Sequence, residues 1–236
     1  MEKNKTNFPR HIALVVDGNR RYAKKLGLNV WKGHEFGAKK IEELLEWCKD
    51  LGIEELTLYV FSSENFNRAE KEIRYVMNLF RDRIKKIRGD KRLTDSGLRI
   101  DFIGRLNLFP KDIQDLMQDL MEKTKENKKF KVNLAMGYGG RQEIVDAAKK
   151  IVNKVKKKEL GIKDINEKVF EENLYLHSYP DILIRPGGEK RISNFLLWQN
   201  SYSELFFVDK LWPEFTKEDL IGCIEEFKTR ERRFGV

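Results

Sequence analysis

The stretch that decides the fold is His11–Val16 (HIALVV), followed directly by Asp17–Arg21 (DGNRR). An apolar run rich in β-branched residues predicts a strand buried on both faces. The Asp-Gly-Asn sequence breaks that strand, and the charged residues up to Lys25 predict a short helix after it. A buried strand that leads through a polar turn into a helix is typical of α/β proteins.

The same alternation continues along the whole chain. Further strands are predicted at 56–61, 98–103, 131–136, 181–184 and 204–208, and further helices at 34–50, 70–88, 111–126, 141–158 and 217–230. Strands separated by helices indicate crossover connections and a parallel sheet. No linker-like composition break or internal repeat is visible, so we expect a single α/β domain over residues 1–236, with a mostly parallel central sheet flanked by helices. Ligands of such sheets bind beyond the carboxyl ends of the strands.

Composition excludes several classes of protein. The 236 residues are 40% hydrophobic and 36% charged, with only five Pro, which argues against a disordered or fibrous chain. The longest apolar runs are far shorter than the roughly 20 residues of a membrane helix. Two cysteines and three widely spaced histidines form neither a disulfide framework nor a zinc motif. The polar, basic start lacks the apolar segment of a signal peptide, so we expect a cytoplasmic protein.

The formal net charge of +9 raises the possibility of nucleic-acid binding. Six lysines lie between Lys149 and Lys158, and a solvated helix face is the interpretation we favour for that run over a binding patch. No nucleic-acid-binding motif accompanies the charge. We therefore expect no nucleic-acid partner.

Arginines and carboxylates gather where the predicted strands end. In Asp17–Arg21, backbone N–H groups at the start of a helix and two guanidinium groups would suit a diphosphate. A carboxylate beside phosphates suggests that Asp17 meets them through Mg2+. An ordinary helix cap at Asp17 with a turn at Gly18 remains an alternative.

Two further strand ends carry similar groups. Ser62–Arg68 (SSENFNR) is dense in hydrogen-bonding side chains, and Arg185–Ser193 (RPGGEKRIS) places two arginines and a serine around a Gly-Gly turn. A helix cap and a charged turn without ligand are the alternatives. Because spacing reveals no nucleophile with its base, the pattern favours two phosphorylated substrates that react by ionisation of a diphosphate.

These residues resemble the cis-prenyltransferase family, the undecaprenyl diphosphate synthase-like enzymes that elongate an allylic diphosphate with isopentenyl diphosphate. The resemblance covers nearly the whole chain. Its five motifs are His11–Ala23, Gly33–Gly37, Leu56–Arg68, Ile103–Arg105 and Asp181–Glu204. It implies a Mg2+-dependent transferase that builds a Z (cis) polyprenyl diphosphate, a precursor of lipid carriers for glycosyl transfer.

The resemblance also implies roles for individual residues. Asp17 would bind Mg2+ and act in catalysis, with Glu204 as a further Mg2+ contact. Asn65 is assigned to proton removal, although it is a poor base, so we expect a relay through diphosphate or water. The allylic diphosphate would be bound by Gly18, Asn19, Arg20, Arg21, Tyr22, His34 and Arg68. Ser62, Ser63, Glu64 and Phe66 would lie beside Asn65, and Arg185, Arg191, Ile192 and Ser193 would hold isopentenyl diphosphate.

A few positions depart from the pattern of bacterial members. Tyr22 and Phe66 stand where Trp is common, which keeps an aromatic wall. Val30 replaces a frequent Arg, so a phosphate contact is missing or moved, and Pro186 replaces a usual Thr. These departures leave the identity of the primer open between farnesyl and geranylgeranyl diphosphate.

The resemblance further implies an apolar product tunnel and a homodimer. Candidate lining residues are Ala38, Ile41, Leu44, Leu45, Cys48, Val76, Met77, Leu79 and Phe80, although core packing is the commoner role for any one of them. The C-terminal segment 230–235 resembles an Arg-x-Gly element that completes a partner's site. The product would partition to the membrane, which places the enzyme peripherally at its surface. A non-catalytic subunit of a heteromeric prenyltransferase is an alternative, but such subunits typically lose the Asp and Arg of the first loop.

Overall fold

The structure is a computed structural model, and it describes residues 8–90 and 97–231. The strands are β1 (His11–Val15), β2 (Glu55–Ser62), β3 (Leu98–Ile103), β4 (Phe130–Tyr138), β5 (Ile182–Pro186) and β6 (Glu204–Val208). The helices are α1 (Asn19–Lys25), α2 (Gly33–Asp50), α3 (Glu70–Gly89), α4 (Lys111–Thr124), α5 (Gly140–Lys156), α6 (Glu167–Glu171) and α7 (Lys217–Thr229).

Over the described ranges the strands form one sheet in the order β3-β4-β2-β1-β5-β6, and every neighbouring pair is parallel. This confirms the predicted fold class. Strand β1 lies between β2 and β5, with Ile12 paired to Leu56 on one side and to Ile182 on the other. Chain order reverses on either side of β1, and crevices at such switch points hold ligands in α/β proteins.

Strand β1 is buried along its whole length because both faces of the sheet are covered. Ile12 and Leu14 pack in one core with Leu44 of α2, and they share that core with residues of α7. Ala13 belongs to a second core, on the opposite face, that contains Phe195. The uninterrupted apolar run therefore reflects a strand enclosed on two sides.

Several boundaries differ from the prediction. Strand β4 runs on to Tyr138, past Gly137, because Tyr138 still pairs with Ser62 of β2 after a register shift. The strand predicted at 131–136 is therefore two residues too short at this end, although Gly137 has a φ of +57°. Helix α6 was not predicted, since it has only five residues, and Asn166 caps it by accepting a hydrogen bond from the N–H of Val169.

The remaining features concern the membrane and the cysteines. None of the helices within residues 8–90 and 97–231 is long and apolar enough to cross a bilayer. Cys48 and Cys223 are free thiols, and both are buried. Burial raises the pKa of each thiol to about 12.

Candidate active site

The first site loop connects β1 to α1 beyond the carboxyl end of the sheet. Gly18 has a φ of +109°, in the left-handed region, and a Cβ at this position would lie 3.0 Å from the Leu211 side chain. Only glycine fits such a turn without strain. The N–H of Trp212 donates to the Asp17 carbonyl at 2.8 Å, which ties the loop to the segment after β6.

The Asp17 carboxylate is held between two guanidinium groups that come from different strand ends. Arg185 Nη2 donates to Asp17 Oδ2 at 2.8 Å, and Arg21 Nη2 lies 3.2 Å from Asp17 Oδ1. Arg21 Nη1 also donates to the carbonyl of Gly187 at 2.7 Å. The structure thus brings the predicted clusters Asp17–Arg21 and Arg185–Ser193 into one crevice, as expected when both follow the carboxyl ends of parallel strands.

Arg185 organises the second half of this crevice. Its side chain is buried, and its Nη1 donates to Ser193 Oγ at 2.6 Å and to the carbonyl of Arg191. Among the described residues its Nε has no hydrogen-bond partner. The Arg191 guanidinium is exposed and donates to Glu189 at 2.6 Å. A buried arginine with a spare donor and an exposed arginine beside it would suit an anion that enters from solvent.

A second basic cluster surrounds the buried carboxylate of Glu72, in the first turn of α3. Glu72 Oε1 accepts a hydrogen bond from Arg68 Nη1 at 3.0 Å, lies 3.3 Å from His34 Nε2, and lies 3.6 Å from Arg20 Nε. Burial and the neighbouring Arg68 charge lower the pKa of His34, so its ring is neutral at neutral pH. One carboxylate therefore holds three predicted substrate-binding side chains.

The segment after β2 forms a 3-10 helix over Ser63–Asn67. The Asn65 side-chain oxygen accepts a hydrogen bond from the N–H of Ser62 at 3.1 Å, so the amide is fixed by its own turn. Glu64 is exposed and accepts a hydrogen bond from Asn194 Nδ2 at 3.1 Å. The Phe66 ring packs edge-on against Phe61 and continues into an aromatic cluster with Phe80 and Phe109.

An apolar cavity of about 510 Å3 begins beside Asn19 and His34. It runs between α2 and α3 as far as Lys49 and Asp90. On α2 the stretch from His34 to Lys49 spans about 22 Å at 1.5 Å per residue. Of the predicted lining residues, the cavity is bordered by Ala38, Ile41, Leu45, Val76, Leu79 and Phe80.

The other three predicted lining residues pack in the core instead. Leu44 and Cys48 belong to the core beneath β1, and Met77 belongs to the core between α3 and α4. Leu44 and Leu45 are successive residues on a helix and point about 100° apart, so one faces the core and the other the cavity.

Comparison with known proteins decides the family. The model of a family described as "Putative undecaprenyl diphosphate synthase" matches residues 15–235. The chain belongs to this family. The predicted membership is confirmed, and with it the assignment as a prenyltransferase.

Relatives of this undecaprenyl diphosphate synthase family member extend over its whole length. It is 48% identical to the tritrans,polycis-undecaprenyl-diphosphate synthase (geranylgeranyl-diphosphate specific) of Pyrococcus abyssi, over 100% of this chain and 90% of the relative. It is 44% identical to the protein of the same description from Methanocaldococcus jannaschii, over 98% of this chain and 84% of the relative.

Solved structures agree. Lavandulyl diphosphate synthase from Lavandula x intermedia, in complex with dimethylallyl diphosphate, superposes with a TM-score of 0.90 at 34% identity, covering 98% of this chain and 99% of that one. A probable undecaprenyl diphosphate synthase from Campylobacter jejuni superposes with a TM-score of 0.80, also at 34% identity, over 97% and 99% of the two chains.

In this prenyltransferase some predicted site residues lie apart from the crevice. Glu204 is the first residue of β6, at the amino-terminal edge of the parallel sheet, whereas Asp17 follows the carboxyl end of β1. Arg230 Nη1 donates to Glu204 at 2.5 Å. The structure therefore does not bring Glu204 to Asp17 within the chain. Ile192 packs against the core that contains Phe195.

The remaining predicted residues lie around the first loop or fall outside the described ranges. Tyr22, on α1, packs edge-on against Phe36 with ring centroids 5.3 Å apart. Asn19 Nδ2 donates to the Val16 carbonyl, and its Oδ1 is buried without a partner within residues 8–90 and 97–231. Ser63 begins the 3-10 helix before Asn65. Of the C-terminal element 230–235, residues 232–235 lie outside the described residues.

The crevice offers few ligands for a Mg2+ ion. Over residues 8–90 and 97–231, no three His, Cys, Asp or Glu side chains converge as a metal cage. A magnesium ion often needs only one or two carboxylates when substrate phosphates supply other ligands. Asp17, half-buried in the crevice between Arg21 and Arg185, fits that requirement as a single carboxylate.

Two residues of this site, Glu72 and Asn194, are not among the predicted site residues. Glu72 lies four residues after Arg68, a spacing that in most helices marks an ordinary surface ion pair. Asn194 follows Ser193 directly, and its contact with Glu64 joins residues 130 apart in the sequence. The i, i+4 spacing was the available signal for Glu72, and nothing local identified Asn194.

Proposed function

We propose that this chain condenses isopentenyl diphosphate with geranylgeranyl diphosphate and extends the product to a Z polyprenyl diphosphate. The observation that carries the proposal is the Asp17 carboxylate held by Arg21 and Arg185, with the Glu72 cluster and the apolar cavity beside it. Two groups of cations in one crevice suit two diphosphates, and the cavity suits a hydrocarbon chain.

The allylic diphosphate is assigned to the first loop. Arg20 and Arg21 would donate to its oxygens, with His34 and Arg68 presented by Glu72. A fixed fork of N–H donors matches phosphate oxygens and stabilises the charge that develops as the diphosphate leaves. Its apolar tail would enter the cavity next to Asn19.

Isopentenyl diphosphate is assigned to Arg185, Arg191 and Ser193. Arg185 already donates to Ser193 Oγ and has a buried Nε with no partner among the described residues. This arrangement would hold the second substrate next to the first, with its double bond directed toward the allylic carbon. Positioning of this kind supplies much of the rate in reactions that need no protein nucleophile.

Mg2+ would be held by Asp17 together with phosphate oxygens. The ion neutralises charge on the leaving diphosphate when it is bound. Glu204, at the opposite edge of the sheet, would not reach this ion within the same chain. Asp17 is the residue of this crevice that would hold the ion, beside Arg21 and Arg185.

Proton removal from the condensing unit needs a base, and the Asn65 amide is not one. Its oxygen accepts from the Ser62 N–H, which leaves its NH2 group to orient a substrate or water. The proton would pass to a diphosphate oxygen or to water. Asn65 is therefore an orienting group in this proposal.

The cavity between α2 and α3 would hold the growing chain. The polyprenyl product of the enzyme would be apolar enough to partition into a bilayer, so the enzyme would act peripherally at a membrane surface. The polyprenyl diphosphate would serve as a precursor of a lipid carrier. We further propose that the chain acts as a homodimer.

The primer assignment rests on the relatives that are described as specific for geranylgeranyl diphosphate. The test is an assay of purified protein with Mg2+, radiolabelled isopentenyl diphosphate, and geranyl, farnesyl or geranylgeranyl diphosphate as primer. We expect the highest kcat/KM with geranylgeranyl diphosphate and Z double bonds in the product. A higher value with farnesyl diphosphate would refute the primer, and no elongation by folded protein with any primer would refute the function.

A further inference from the structure

The segment Ile192–Leu197 has an unusual backbone. Ser193, Asn194 and Leu196 have φ angles of +50°, +62° and +47°, in the left-handed region that residues other than glycine seldom occupy. Asn tolerates this conformation better than most residues. Such a backbone persists only where surrounding contacts hold it, and it occurs often at functional sites.

The contacts of Asn194 provide that hold. Its carbonyl accepts a hydrogen bond from the N–H of Gly140 at 2.7 Å, and its Oδ1 accepts one from the N–H of Arg141 at 2.9 Å. These two N–H groups begin α5, whose own N-cap residue offers no side-chain hydrogen bond. Asn194 Nδ2 donates to Gln142 Oε1 and to Glu64 Oε1, both at 3.1 Å.

Two glycines leave room for the segment Ile192–Leu197 to approach the start of α5. A Cβ at Gly140 would lie 2.6 Å from the Leu197 side chain, and a Cβ at Gly139 would lie 2.7 Å from Asn194 Nδ2. The Cβ at Gly140 would push Leu197 and its backbone away from α5, and the Cβ at Gly139 would displace the side chains of Gln142 and Asn194. The sequence thus combines a residue that tolerates the backbone with two that allow the approach.

Asn194 lies between the two parts of the crevice. On one side it follows Ser193, whose Oγ accepts from Arg185. On the other side its amide reaches Glu64, the neighbour of Asn65. We propose that Asn194 is a positioning residue that fixes the segment Ile192–Leu197 to α5 and to the 3-10 helix that carries Asn65. In this way it sets the affinity for isopentenyl diphosphate. This inference rests on the proposed function.

The test is Asn194→Asp, which keeps an oxygen for the Arg141 N–H and tolerates a left-handed backbone but removes the NH2 donor. It also places a carboxylate beside Glu64. We expect the KM for isopentenyl diphosphate to rise about tenfold, while the KM for the allylic primer changes less than twofold. Combining it with Glu64→Gln restores a donor–acceptor pair, and relative to Glu64→Gln alone the added Asn194→Asp should then raise that KM less than threefold.

Asn200→Asp is the matched control, because Asn200 donates to the Phe195 carbonyl in the same part of the chain and, within the described residues, makes no side-chain hydrogen bond to Glu64 or α5. It should leave both KM values unchanged. If the Asp variant folds poorly, Asn194→Gly replaces it, because glycine tolerates the left-handed backbone but has no side chain. Its affinity for isopentenyl diphosphate is measured by calorimetry, and we expect it to be lower than that of the wild-type protein.

The outcomes separate the inference from the proposed function. If the wild-type protein does not elongate a primer at all, the proposed function fails. If the wild-type protein is active and the folded Asn194 variants bind isopentenyl diphosphate normally, only the inference fails. An equal rise in both KM values, or no rescue by Glu64→Gln, would also overturn it.

Discussion

Removing the charge of Glu72 should lower the thermal stability of the protein, and a bound diphosphate should restore part of it. Glu72→Gln keeps the size of the side chain and an oxygen for Arg68, but it leaves Arg68, Arg20 and, when protonated, His34 without a common anion. Only 3% of Glu72 is exposed, so solvent cannot replace the lost charge. A diphosphate bound at the same cations can.

The size of the effect follows from the contacts. A hydrogen bond to a charged group contributes about 1.5–3 kcal/mol, and the 3.0 Å bond from Arg68 is the shortest of the three contacts to Glu72. Arg20 is half exposed and adds little because water screens it. A loss of about 2 kcal/mol lowers the Tm of a chain of this size by about 4–8 °C.

The assay is thermal unfolding with and without inorganic pyrophosphate, in the absence of Mg2+. Pyrophosphate should stabilise the variant more than the wild-type protein, because its anionic oxygens replace the missing carboxylate. The matched control is Glu70→Gln in the same helix turn, whose side chain is 80% exposed and 3.5 Å from Arg74. It should shift the Tm by less than about 2 °C. An equal pyrophosphate response in Glu72→Gln and the wild type would refute the shared-anion account.

Other predictions follow from the cavity and from the buried titratable groups. Leu45→Trp fills the cavity and should shorten the products without slowing the first addition, whereas Ile162→Trp, at a position that is 76% exposed, should leave the product lengths unchanged as judged by mass spectrometry. Burial lowers the pKa of His11 below that of the unfolded chain, near 6.5, so the unfolded state binds more protons and stability should fall as the pH drops from 7.5 to 5.5. Urea unfolding should show a smaller acid loss for His11→Gln, and an identical loss would contradict this assignment. Cys48 and Cys223, with pKa values of about 12, should not react with a thiol reagent at pH 8 in the native protein but should both react in denaturant.

The fold was predictable because its signals are local and repeated. An apolar run such as His11–Val16 admits few structures other than a buried strand, and six such runs between helices predict a parallel sheet. The crevice followed from the same logic, since the carboxyl ends of parallel strands share one edge. This is why Asp17 and Arg185, far apart in the chain, were expected together and are found at 2.8 Å.

The sequence does not show where a residue lies along a strand or which way it faces on a helix. The resemblance implies a Mg2+ contact for Glu204, whereas the structure places it as the first residue of β6, at the opposite edge of the sheet from Asp17. Leu44 and Leu45 are the same type of residue, and only the packing of α2 shows which of them faces the cavity.

Polar residues that act through other polar residues were the hardest to find. Glu72 and Asn194 contribute by holding side chains and segments that are distant in sequence, and a single sequence contains no record of such contacts. Glu72 meets His34 across 38 residues, and Asn194 meets Glu64 across 130. Both became visible only when the fold brought α3 and the segment before β6 to the same crevice.

The most direct test of the account is a crystal structure of the chain with Mg2+, isopentenyl diphosphate and an unreactive thio analogue of geranylgeranyl diphosphate. We predict the allylic diphosphate on Arg20 and Arg21, the isopentenyl diphosphate on Arg185 and Ser193, Mg2+ on Asp17, and the hydrocarbon between α2 and α3. Diphosphates bound away from these residues, or a hydrocarbon outside that cavity, would contradict the account.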